Sequence, residues 1–124
     1  MTNLIKHARE HVELPCKYSA NQCHFTYIMD GSRIVSWGYN KVKKTHPLAK
    51  KYGHLFNCIH SELDALIKAR DSLDKCKVVN VRIKKNGNVG LSKPCPQCQK
   101  MLEDHGVERV YYTTENGFEV LELC

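Results

Sequence analysis

Two short stretches far apart along the chain carry side chains that are ordinary alone and useful together: His60-Ser61-Glu62 and Pro94-Cys95-Pro96-Gln97-Cys98. Two thiolates and an imidazole supply three ligands to a tetrahedral zinc ion and leave its fourth position open, as a catalytic site requires. Glu62 lies just beyond His60. It is near enough to meet a water at the open position and a poor match to thiolate-rich ligation, so its expected work is moving protons. A fold for this chain has to bring the two stretches together.

Local sequence places both stretches at helix starts. Leu63, Leu66 and Ile67 form an i, i+3, i+4 apolar stripe after Glu62, predicting a helix to about Arg70. Pro96 suits a first helical position, and Met101 and Leu102 give the second helix an apolar face. Cys95 and Cys98 then point the same way. A zinc dithiolate gathers negative charge in a dry site, and two helix N-termini supply positive potential to offset it. An isolated Cys-x-x-Cys is ambiguous with a redox pair, a reading that the upstream His-x-Glu makes poorer. A closed, four-ligand zinc knuckle stapling two helices is the non-catalytic alternative, and it leaves Glu62 and Asn40 without a role.

At 124 residues the chain is expected to form one domain, 1–124, with a substantial core. No apolar run is long enough to span a membrane, and Met1-Thr2-Asn3-Leu4-Ile5-Lys6-His7 lacks the apolar core of a signal peptide. A cytoplasmic protein without membrane contact is expected. Seven cysteines are an odd number, and two belong to the metal motif, so thiols rather than a disulfide framework are expected. Cys16, Cys23, His24 and Cys58 are candidates for a second, structural zinc, although no paired Cys-x-x-Cys anchors them; the alternative is ordinary buried thiols.

The net charge of +6 fits an anionic partner, either a nucleotide phosphate or a nucleic-acid backbone. Basic residues concentrate at Lys41, Lys43, Lys44, His46, Lys50, Lys51 and His54, with no acidic residue among them, on the segment leading to His60. Lys43, Lys44 and His46 are therefore candidate substrate contacts, with a solvated lysine-rich loop as the plain alternative.

The order of elements follows from periodicity and punctuation. A first helix is predicted from about Asn3 to Glu13, ended near Pro15, and a strand from His24 to Met29. Asp30-Gly31-Ser32 turns the chain into a second strand, Arg33 to Tyr39, making a β-hairpin. After the lysine loop and the Glu62 helix, Val79, Val81 and Ile83 alternate with Asn80, Arg82 and Lys84, predicting a half-exposed, edge-proximal strand. The Cys95 helix ends at Gly106, and strands at Glu108 to Thr113 and Phe118 to Leu123 are joined too briefly to be parallel. Trp37 is expected in the core, and Tyr111 or Tyr112 at the border of the site.

The His60-Ser61-Glu62 and Pro94-Cys95-Pro96-Gln97-Cys98 pair, together with Asp30-Gly31-Ser32-Arg33-Ile34-Val35-Ser36-Trp37-Gly38-Tyr39-Asn40, resembles the cytidine and deoxycytidylate deaminase superfamily from about His24 to Tyr112. The resemblance implies a three-layer α/β fold of the cytidine deaminase type, a mixed five-stranded sheet with helices on both faces. It implies Zn2+ on His60, Cys95 and Cys98, Glu62 as proton shuttle, Asn40 on the sugar and the Ser61 backbone on the base. Ser61 stands where alanine is usual, and Asn40 lacks the nearby glutamate that grips ribose in free-nucleoside enzymes. The antiparallel end resembles the cytidine deaminase branch; Gly38-Tyr39-Asn40 and the ligand set resemble the deoxycytidylate and tRNA-adenosine branches. The implied activity is hydrolytic deamination of a cytosine nucleotide or nucleoside, of deoxycytidylate or cytidine type, releasing ammonia, by a homo-oligomer. The alternatives are a deaminase of cytosine or adenine in single-stranded DNA or RNA, and a non-catalytic structural zinc protein.

Overall fold

The computed structural model describes residues 2–16, 23–42, 47–53, 58–69 and 73–123. Along the chain run α1 (Thr2–Glu10), α2 (Glu13–Cys16), β1 (Cys23–Asp30), β2 (Arg33–Tyr39), β3 (Lys41–Val42), α3 (Pro47–Lys51), β4 (Cys58–Ile59) and α4 (Ser61–Lys68). Then follow β5 (Lys77–Ile83), β6 (Val89–Gly90), α5 (Pro96–Asp104), β7 (Arg109–Thr114) and β8 (Gly117–Glu122). The main sheet has the order β2-β1-β5-β7-β8, with the short β6 added beside β5.

Turn chemistry and connection length account for the mixture of directions. Gly31, at φ +63°, lets β1 fold straight back against β2. The short link between β7 and β8 likewise gives an antiparallel pair, as the sequence predicts. Only β5 and β7 run parallel, and α5 supplies the long crossover such a pair needs.

Strand alternation divides the core in two. Phe25, Tyr27, Met29, Val79, Val81 and Ile83 face α1, where Leu4 and Ala8 cover them. Ile28, Val78 and Val110 face the other way, against Leu63, Ala65 and Leu66 of α4 and Met101 and Leu102 of α5. Helices thus cover both faces of the mixed sheet.

Four sequence expectations are corrected. The break after α1 falls at His11-Val12 rather than Pro15, which lies inside the four-residue α2; a proline in a first turn forfeits no helical hydrogen bond. β5 is a central strand between β1 and β7, with Asn80 only 3% exposed, not a half-exposed strand near an edge. Its polar residue faces a buried polar site instead of water. The basic segment is not a bare loop: α3 lies within it, and β3 pairs with β4 through Lys41↔Ile59 and Val42↔Cys58. Elements of two to five residues leave no periodic signal. Lys41 is no solvated member of a basic run, since its ammonium lies 2.7 Å from Asp64, on a side chain only 16% exposed.

Asp64 also fixes α4 against β2. It accepts from the Tyr39 backbone N–H at 3.1 Å and from Lys68 at 2.8 Å. Gly38 permits this approach, because a Cβ there would sit 2.4 Å from the Ala65 nitrogen. α4 is thereby held with its N-terminus beside that of α5.

Candidate active site

His60 and Cys95 occupy equivalent places, the N-caps of α4 and α5, and Cys98 lies one turn into α5. Pro96 opens α5, and the Cys95 sulfur accepts from the Cys98 N–H at 3.5 Å. His60 Nδ1 lies 3.6 Å from Cys95 Sγ and 3.3 Å from Cys98 Sγ. The three donors lie within 4.8 Å of one another, a group able to hold a metal ion. Tetrahedral zinc, with nitrogen at about 2.0 Å and sulfur at about 2.3 Å, sets nitrogen–sulfur separations of roughly 3.5 Å. The donor set and its spacing fit zinc. Two helix N-termini aimed at the group favour thiolate. The Cys95 thiol is drawn down to about 3 by its hydrogen bond with Cys98 and by His60, against the opposing effect of burial.

Glu62, in the first turn of α4, is 6% exposed. Burial pushes its carboxyl above the usual range, while its backbone hydrogen bond and His60 pull the other way. Each carboxyl oxygen has a neighbour: Ser61 Oγ lies 3.1 Å from Oε1, and Asn80 Nδ2 donates to Oε2 at 3.1 Å. The same Nδ2 donates to the Ser92 carbonyl at 3.1 Å. Asn80 Oδ1 accepts from Thr26 at 2.7 Å, and the Thr26 hydroxyl lies 2.8 Å from Ser61 Oγ. These contacts close a ring through Glu62, Ser61, Thr26 and Asn80, its two hydroxyl hydrogens shared among three oxygen–oxygen contacts.

A cavity of about 230 Å³ opens over this ring, lined by His24, Asn40, Ser61, Glu62, Ser92 and Lys93 beside His60 and Cys95. Asn40 is tied in place, its Oδ1 accepting from the His24 backbone N–H at 3.0 Å and its own N–H reaching the His24 carbonyl. Burial drives the His24 imidazole down to about 4, with Arg82 and His60 acting in the same direction, so it is neutral at physiological pH. Lys93 is exposed at the rim.

The structure thus gathers His60, Ser61, Glu62, Cys95, Cys98 and Asn40 into one site. Lys43, Lys44 and His46 lie outside the described residues. Of the second zinc candidates, Cys23 and His24 share β1, whereas the side chains of Cys16 and Cys58 lie outside the described set. Trp37 packs on the α1 face, edge-on to His7. Tyr111 and Tyr112 do not line the cavity; the Tyr112 hydroxyl donates to Glu119 at 3.0 Å. Thr26, Asn80, Ser92 and Lys93 were not singled out by the sequence. Their signal is faint: a polar residue at an in-phase position of an apolar strand, and a serine between His60 and Glu62.

The family described as the cytidine and deoxycytidylate deaminase zinc-binding region matches residues 2–114. Among solved structures, the dCMP deaminase of cyanophage S-TIM5 is 20% identical, with 92% of this chain and 85% of that chain covered at a TM-score of 0.55. A cytidine deaminase from Burkholderia pseudomallei is 18% identical over 95% of this chain and 86% of that one, TM-score 0.62. A cytidine deaminase from Mycobacterium leprae is 18% identical over 91% and 88%, TM-score 0.51. No curated protein sequence matches the chain. Among the described residues no helix is long and apolar enough to cross a membrane.

Proposed function

The chain belongs to the cytidine and deoxycytidylate deaminase zinc-binding family, and from that premise we propose that it deaminates cytosine in a free nucleotide, giving the uracil product and ammonia. The observation that carries the reading is the placement of the buried Glu62 carboxyl, held at both oxygens, in the same cavity wall as the His60 and Cys95 donors.

His60, Cys95 and Cys98 hold the zinc in this reading, which when bound supplies the Lewis acidity that activates water near neutral pH. Glu62 takes the proton that the attacking water gives up at C4 of the base, and passes protons to the ring nitrogen and the departing amine. The raised carboxyl pKa suits this work, since the group must hold a proton between the two transfers. The Ser61 backbone and Asn40, both in the cavity wall, position base and sugar. Neutral His24 contributes a polar wall without competing for the anionic end of the substrate.

Lys93 favours a phosphorylated substrate, being the one lysine among the described lining residues. Lys43, Lys44 and His46 extend that attraction along the basic segment. A polymer substrate would use the same lysines, and the S-TIM5 dCMP deaminase has been seen in complex with dCMP and dUMP. Ammonia release by zinc-loaded protein is the test, across deoxycytidylate, cytidine, deoxycytidine and cytosine-containing single-stranded DNA. Turnover of deoxycytidylate well above the nucleosides supports the reading; turnover of DNA alone replaces it with a nucleic-acid deaminase. Reversing Lys43 and Lys44 to glutamate raises KM for the nucleotide at low salt, an effect that shrinks as salt is added.

A further inference from the structure

Asn80 sits in the middle of β5, where its backbone is buried between β1 and β7 and a valine flanks it on each side. A buried amide on an apolar sheet face is costly unless its polar atoms are partnered. Here Oδ1 accepts from Thr26, and Nδ2 donates to Glu62 Oε2 and to the Ser92 carbonyl. These partners also settle which way the amide points. Exchanging nitrogen and oxygen would set an acceptor against both the Glu62 carboxyl and the Ser92 carbonyl, which needs a donor there.

The partners belong to the two arms of the site. Glu62 is on α4, which His60 caps. Ser92 begins the segment Ser92-Lys93-Pro94 that delivers Cys95. That segment is itself fixed, as Ser92 Oγ donates to the Asn80 carbonyl at 2.9 Å and the Thr113 N–H donates to Ser92 Oγ at 2.8 Å. One side chain on the central strand therefore touches both the carboxyl that moves protons and the segment that carries a metal donor.

We propose that Asn80 is a positioning residue: aimed by Thr26, its amide holds Glu62 Oε2 and the Ser92 carbonyl, and so fixes the proton-shuttle carboxyl relative to the Cys95 arm, with Ser61 holding the other carboxyl oxygen. The role rests on the deaminase reading above for its catalytic consequence and on the ring geometry alone for its structural one. Ser61 and Thr26 complete the ring, which gives the serine between His60 and Glu62 a purpose an alanine would not serve.

Asn80→Val tests the assignment, because valine suits a central strand and the apolar face while removing both donors; Thr26→Val removes only the hydroxyl that aims the amide. With zinc content matched to wild type, Asn80→Val is expected to lower kcat by about 10²-fold, with KM within about threefold, as misplacement of a reacting group does. Thr26→Val is expected to lower kcat by about tenfold. A second readout uses zinc-free protein: the shift in denaturation midpoint caused by Asn80→Val should be smaller in a Glu62→Ala background than in wild type, because the partner is already gone. The assignment is overturned if Asn80→Val keeps kcat within about twofold of wild type, or if its loss follows lost zinc or a matching rise in KM, or if the midpoint shifts add. Should Asn80→Val fail to fold, Thr26→Val decides by the same readouts. A wild-type protein that releases no ammonia from any cytosine substrate refutes the deaminase reading instead, and the zinc-free cycle then decides the positioning role by itself.

Discussion

The two faces of the central sheet are made from the same strands and do different work. On the α1 face, β1 and β5 present Phe25, Tyr27, Val79 and Val81, all fully buried, and aromatic and aliphatic packing fills the space. On the α4/α5 face the same strands present the apolar pair Ile28 and Val78 and, next to it, the polar pair Thr26 and Asn80, also buried, in register with each other and bonded to Ser61, Glu62 and Ser92. Alternation along a strand lets one residue serve stability and its neighbour serve chemistry. The polar patch costs desolvation, which apolar packing on both faces, Ile28 and Val78 beside it included, offsets.

Changes on the two faces should separate cleanly. The largest effect is expected from Cys95→Ser, which removes a metal donor at the start of α5: activity falls to background and zinc affinity by more than about 10²-fold, read by metal analysis after dialysis. Retained affinity would show that the donor set is wrong. Phe25→Ala is the counterpart on the α1 face, expected to cost about 3–5 kcal/mol in denaturant unfolding while activity per folded molecule and zinc content persist. Loss of zinc at full folding would break the division between faces. Gly38→Ala crosses it, since its new Cβ meets the backbone of Ala65 and Asp64. A cost of about 1–3 kcal/mol is expected, with a fall in kcat because α4 carries His60 and Glu62.

Acidity offers the mildest probe. His24, on the site face, is held down to about 4, chiefly by burial; His7, on the α1 face and 2.7 Å from the Tyr27 hydroxyl, is also held below 6.5, chiefly by burial. Both histidines are harder to protonate folded than unfolded. As pH falls below 6.5 the unfolded chain therefore takes up protons first, and stability is lost, for His24 down to about 4. Above 6.5 the contribution is fully present. His24→Gln should flatten the stability profile over that window more than His7→Gln does, and equal flattening would contradict the deeper burial of the His24 imidazole.

The difference between the faces also governs how far the sequence could be read. Leu63, Leu66, Met101 and Leu102 carry helical periodicity, Asp30-Gly31-Ser32 carries turn chemistry, and the His60 and Cys95 stretches carry ligand spacing; each of these signals is local, and the structure agrees with it. The ring around Glu62 depends on contacts between residues such as Thr26 and Asn80, far apart in sequence and adjacent only once β1 and β5 pair. In sequence Asn80 has the polarity of a solvent-facing position, and that made a central strand look like one near an edge. Lys41 looked like part of a basic run for the same reason, its partner Asp64 being remote in sequence.

The central claim is that the polar patch of Thr26 and Asn80 places Glu62 for proton transfer beside a zinc held by His60, Cys95 and Cys98. Ammonia release from deoxycytidylate by Glu62→Gln, at zinc content equal to wild type, tests it most directly. The glutamine keeps the size of the side chain and, with its oxygen toward Asn80 Nδ2 and its nitrogen toward the Ser61 hydroxyl, a partner at each end, but cannot carry the proton, so a loss of about 10²–10⁴-fold in kcat with zinc retained is predicted. Full activity in that variant would contradict the claim.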